Sequence, residues 1–138
     1  TLFRSLAKIR LVEILSEAFQ ERAVLPSLSG VSFKLVQKKI RTAMKGLRAM
    51  GCPLPKAQIV EMRDEINRSM FSLIKEDYLQ AGVFLKIDPN NTSMLKQQQV
   101  LAETLNRLKK ETAIFDELDS SELKQYHFGQ KNQVEEAA

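Results

Sequence analysis

Apolar residues recur at intervals of three and four along four separate stretches of this chain, the spacing of helices with one buried face. The first covers about residues 2–22, through Leu2, Phe3, Leu6, Ile9, Leu11, Val12, Ile14, Leu15, Ala18 and Phe19. Its wet side moves. Arg4, Ser5 and Lys8 mark it in the first half, whereas Ser16, Glu17, Gln20 and Glu21 mark nearly the opposite side in the second. A helix that changes faces midway meets different neighbours at its two ends, or a partner chain at one of them.

Pro26, Ser27, Ser29 and Gly30 predict a loop, and Ser32 is placed to cap a second helix over about 32–50. Gly51 followed by Cys52-Pro53 is a stop signal: glycine takes the left-handed cap and proline cannot continue the helix. Pro55 then opens a third helix over about 55–81, with Ile59, Met62, Ile66, Met70 and Leu73 as its stripe, widened by Phe71, Ile74 and Tyr78. Gly82 is read as its end, and Val83–Ile87 as a short extended crossing, too little on its own for a sheet.

Asp88-Pro89-Asn90-Asn91 is a turn, with Thr92 or Ser93 capping a fourth helix over about 93–118. There Met94, Gln98, Leu101, Leu105, Leu108, Thr112 and Phe115 keep a strict four-three spacing, the seam of a coiled-coil-like pairing. A short helix over Ser121–Phe128 and a disordered tail over 129–138 complete the pattern. The predicted class is all-α: an antiparallel bundle or array of about four long helices. Residues 1–128 form one domain, and the opening Thr1 fits a segment excised from a longer protein. No repeat of fixed period points to a solenoid.

Composition narrows the class. With 138 residues, 43% hydrophobic and 28% charged, the chain can bury one core and does not read as disordered. No apolar run approaches the roughly 18 residues that would span a bilayer, and Arg4, Lys8 and Arg10 interrupt any signal-peptide pattern. A single cysteine, Cys52, rules out an internal disulfide and fits the cytoplasm or another reducing intracellular compartment.

The net charge of +4 conceals an asymmetry. Eight of the 21 Lys and Arg lie within positions 22–60, which hold none of the 17 Asp and Glu, so the remainder carries 13 basic and 17 acidic residues. Within that window Lys34, Lys38, Arg41, Lys45 and Arg48 recur at four, three, four and three. At 100° per residue they fall within roughly 80° of one another, a single basic ridge. Phe33, Val36, Ile40, Met44 and Leu47 take the opposite side.

Catalytic chemistry finds no constellation. One His (His127) and one Cys cannot supply a structural zinc tetrad, and no Glu-x-x-His pair exists for a di-iron centre. The five glycines are scattered, so there is no phosphate-cradling loop. The Asp88–Ser93 stretch resembles a calcium loop superficially, but it lacks the central glycine and has Gln99 where the bidentate carboxylate belongs. Asp64/Glu65 and Glu76/Asp77 splay around a helix instead of converging, and Cys52 lacks a nearby base. The expectation is a non-enzyme with no cofactor and no metal.

The plainest account of the ridge is a solvated helix face. Against it stands the cost: like charges four apart each destabilise a helix by about 0.2–0.5 kcal/mol, and Lys34/Lys38 and Arg41/Lys45 both accept it. A ridge of one sign predicts an acidic partner. Its first reading is a protein adaptor, supported by the moving face of the first helix, the seam on the last, and adaptable methionines at 44, 50, 62, 70 and 94. A homo-oligomer is compatible with the same surfaces. The alternative is sequence-nonspecific nucleic-acid binding through phosphates, weakened because only Gln37 lies near the ridge to read or stack a base. A membrane surface is the least favoured, since inserting Phe33–Leu47 would strip the core of one apolar stripe.

Overall fold

Two helical hairpins account for the architecture, and the residues between the helices explain where each begins and ends. The computed structural model describes residues 2–112. These form α1 (Leu2–Ala23), α2 (Gly30–Ala49), α3 (Lys56–Ile87) and α4 (Thr92–Glu111), with no strand among the described residues. The expected helix over 113–118, the short helix over 121–128 and the tail over 129–138 lie outside them.

The α2–α3 connection follows the glycine–proline logic closely. Gly51 adopts φ 73°, its N–H bonds to Arg48 O at 2.9 Å, and the Cys52 N–H bonds back to Leu47 O at 2.9 Å. That double closure is the Schellman motif, which requires a residue comfortable in the left-handed region. Pro55 sits one residue before α3 as its N-cap.

Three boundaries depart from expectation. α2 starts at Gly30, with Ser29 as the N-cap, so Ser32 lies inside the first turn. α4 is capped by Asn91, whose Oδ1 accepts from the Met94 N–H at 3.0 Å. A short amide side chain at this position reaches the third backbone N–H of the helix, displacing Thr92 and Ser93 from the cap.

The largest correction is in α3, which runs through Gly82 to Ile87 and leaves no extended crossing at Val83–Ile87. Its buried residues are Asn67, Phe71, Ile74, Tyr78, Ala81 and Leu85. That is a second strict four-three seam, and burying Ala81 and Leu85 on either side of Gly82 carries the helix past it. Gly82 faces α4, where a Cβ would lie 3.4 Å from Gln98 Nε2. Leu73, assigned to the stripe from sequence, is instead 58% exposed.

α3 and α4 pair seam to seam and antiparallel, with Gly82 beside Gln98 at one end and Asn67 bonded to Thr112 at the other. Gln98, Leu105, Leu108 and Thr112 are buried, as the four-three pattern predicts. α1 and α2 are likewise antiparallel. Leu11 approaches Gly46, and Lys39 Nζ bonds the Glu21 carboxylate at 3.0 and 3.1 Å.

The hairpins meet through α1 and α3. One core cluster gathers Leu15, Ala18 and Phe19 of α1 with Val36, Ile40 and Ala43 of α2, and Ile59, Met62 and Ile66 of α3 pack on it. A second joins Ala23 to Phe71, Ile74, Tyr78, Ala102, Leu105 and Leu108, and Ile66 packs against this one too. Ile66 is therefore the hinge point of the core. Only the second half of α1 takes part; residues 2–10 are all exposed, and Leu2, Phe3, Leu6 and Ile9 show 55–89% of their surface.

Candidate functional site

α2 carries the ridge. Val36, Ile40, Ala43 and Leu47 are buried against the core, and helical geometry turns Lys34, Lys38, Arg41, Lys45 and Arg48 to the opposite side, where all five are exposed. Among the described residues none of the five has an ion-pair or hydrogen-bond partner. Lys39, one step around the helix, differs: it pairs with Glu21 and ties α2 to α1. The structure thus brings together all five cations named from the spacing and separates them from the one structural lysine beside them.

Sequence reasoning missed what borders the ridge. A groove of about 710 Å³ runs between α1 and α2, walled by Leu11, Ile14, Val24, Leu25 and Leu35, with Lys38 and the paired Lys39 and Glu21 among its lining. Leu35 is 57% exposed and Val31, one turn before it, 75%. On the helix these two lie between the ridge and the buried stripe. The signal was there: the apolar arc of α2 is wider than one core contact needs. The result is a strip of unpartnered cations beside a trough of apolar side chains.

A second polar constellation, also unforeseen, sits where α1, α3 and α4 converge. Arg107 of α4 donates through Nη2 to the carbonyls of Arg22 (3.0 Å) and Ala23 (2.7 Å) and through Nε to that of Leu25 (2.7 Å). Arg22 and Ala23 belong to the last turn of α1, whose carbonyls have no partner within the helix, and the guanidinium charge also opposes the helix dipole there. Arg107 Nη1 bonds Glu111 at 2.9 Å, Arg22 bonds the other carboxylate oxygen, and Asn67 Nδ2 donates to Glu111 (2.9 Å) and to Thr112 Oγ1 (3.0 Å).

Charge compensation governs this cluster. Burial alone would push the Glu111 carboxyl up, but hydrogen bonds from Arg22 and Asn67 and the charges of Arg22 and Arg107 hold it below its ordinary value. Burial lowers Arg107, Glu111 opposes that shift and Arg22 adds to it; the guanidinium stays charged. Asn67 is fully buried and its Oδ1 has no partner, so the side chain is oriented by its donors alone. Every member is engaged within the fold, which makes this a lock between hairpins.

Among the described residues no three His, Cys, Asp or Glu are grouped so as to hold a metal ion, and no helix is long and apolar enough to cross a membrane. Among the described residues, the ridge and its groove set exposed cations without an ion-pair partner beside apolar bulk. No known protein family matches the chain, and no curated protein and no solved structure is significantly similar to it.

Proposed function

We propose that this chain is a non-catalytic interaction module, an antiparallel four-helix bundle whose second helix docks an acidic, apolar-anchored segment of a protein partner. The observation that carries the reading is that Lys38, one of the five unpartnered cations of the ridge, also lines the groove walled by Leu11, Ile14 and Leu35. Charges alone would suit any polyanion. An apolar trough alongside them favours a peptide, because burying a Leu or Phe side chain yields about 1.5–3 kcal/mol while cations on one edge fix orientation and speed encounter.

Nucleic acid is the second reading. Five cations spread over about 21 Å of helix match the scale of a phosphate backbone, but the groove would then stay unfilled. The two readings separate in one titration. An acidic amphipathic peptide and a random-sequence duplex are each titrated against the chain and against Lys38→Glu/Arg41→Glu/Lys45→Glu at two salt concentrations. The adaptor reading expects peptide binding that Leu35→Ser also weakens. Binding of duplex alone, with a steep salt slope and no response to Leu35→Ser, sinks it.

A further inference from the structure

We infer that residues 113–128 of this same chain occupy the groove between α1 and α2 and screen the ridge until an acidic partner displaces them. The inference rests on the reading of groove and ridge as a docking face and names the regulation of that face.

The first observation is where the described chain ends. Thr112 is held by Asn67, and the adjacent Glu111 is bonded to Arg107 at 2.9 Å. The same Arg107 side chain bonds the carbonyl of Leu25 at 2.7 Å, and Leu25 lines the groove. The polypeptide therefore leaves α4 about one side chain away from the groove's Leu25 end.

The second is length and direction. From Ala23 back to Leu11 the α1 wall of the groove extends about 18 Å at 1.5 Å per residue, and the ridge from Lys34 to Arg48 about 21 Å. Residues 113–128 reach that far even at helical rise, about 24 Å, and further if extended. Because α1 and α2 are antiparallel, a segment entering beside Leu25 passes Ser32, Leu35, Lys38 and Thr42 of the groove lining in turn, with Lys34, Arg41 and Lys45 on the ridge of the same helix.

The third is chemistry. Residues 113–128 hold four acids, Asp116, Glu117, Asp119 and Glu122, against one lysine, Lys124. Between and around the acids stand Ile114, Phe115, Leu118, Leu123, Tyr126 and Phe128. Apolar bulk interleaved with negative charge is the complement of an apolar trough edged by Lys38, which has no acidic partner among the described residues, with the rest of the ridge on the same helix. A tether of a few residues gives an effective concentration of the order of 1 mM, so even a weak fit competes strongly with a free ligand.

The test uses the full chain and a fluorescein-labelled peptide copied from residues 113–128. If the segment occupies its own groove, the neutralised chain D116N/E117Q/D119N/E122Q binds the peptide about ten times more tightly than wild type. In both chains Lys38→Glu/Arg41→Glu/Lys45→Glu abolishes binding. A nitroxide pair at Thr42→Cys and Ser120→Cys, in a Cys52→Ser background, reports the contact directly. A short distance at low salt should lengthen at high salt and in the neutralised chain.

Equal peptide affinity of wild-type and neutralised chains, with a distance insensitive to salt, overturns this inference; ridge-dependent binding in both would leave the docking reading standing. Dipolar coupling between two singly labelled copies places the segment on a neighbouring molecule and likewise overturns it. If no chain binds the peptide at any salt, both the inference and the docking reading fall.

Discussion

Arg107 of α4 and Leu25, two residues beyond the end of α1, are joined by a 2.7 Å hydrogen bond from the guanidinium Nε to the carbonyl oxygen. That bond fastens one hairpin to the loop at the mouth of the groove on the other. The side chain also satisfies two further carbonyls, of Arg22 and Ala23, and one oxygen of Glu111.

Arg107→Ala should accordingly cost about 3–5 kcal/mol, the range for breaking a buried ion pair and leaving its partner uncompensated. Arg107→Lys should recover only part of this, because a single ammonium cannot reach three carbonyls and a carboxylate from one position. Urea unfolding at neutral pH measures both. If Arg107→Ala unfolds at the wild-type midpoint, the lock is not what holds the hairpins together.

Glu111 gives that lock a pH signature. Its folded-state carboxyl titrates below its ordinary value, so the unfolded chain binds the proton more readily and stability rises with pH across that window. The stabilisation is fully present above the unfolded value of about 4.3 and is lost as pH falls through the folded one. Glu111→Gln should lose stability at neutral pH and show a flatter acid limb. Melting temperatures from pH 7 down to pH 3 test it; parallel curves for the two proteins would contradict the assignment.

Two glycines should respond to alanine with opposite signs. Gly82 lies mid-helix, with ordinary contact distance to Gln98 Nε2, so Gly82→Ala should stabilise by about 0.5–1 kcal/mol. Gly51 holds φ 73° at the Schellman closure, so Gly51→Ala should destabilise by about 1–2 kcal/mol. Thermal melts of the pair decide it. A destabilised Gly82→Ala would mean that α3 needs its glycine as a break.

Reversing one ridge charge should leave the fold intact. Lys38 stands four residues after Lys34 and three before Arg41, so Lys38→Glu replaces two repulsive neighbours with attractive ones, each worth about 0.2–0.5 kcal/mol. A slightly raised melting temperature together with weakened binding of the acidic peptide is the expected outcome. A large drop in stability would instead make the ridge part of the fold's own bonding.

The contrast between α3 and α4 shows how far pattern reading reached. In α4 the seam through Gln98, Leu105 and Leu108 is visible because its spacing is unbroken. In α3 an identical seam begins at Asn67, but Ile59, Met62, Ile66 and Met70 offer a second apolar stripe, part of it packed on the α1–α2 cluster, that hides the register. Without that register Gly82 looks like a terminus and Leu73 like core. Once Asn67 is paired to Thr112 at 3.0 Å, the seam runs to Leu85.

Sequence by itself determined the all-helical class, the Schellman stop at Gly51 and the five cations of the ridge, because spacing, φ preference and charge are local properties of a chain. Tertiary structure alone decided the rest. The groove beside Leu35 exists only where α1 lies against α2, and Arg107 becomes a cap only because the end of α1 arrives beneath it. Asn67 acquires its role from Glu111, 44 residues away. Each depends on which helices become neighbours, which follows from how seams match across the core.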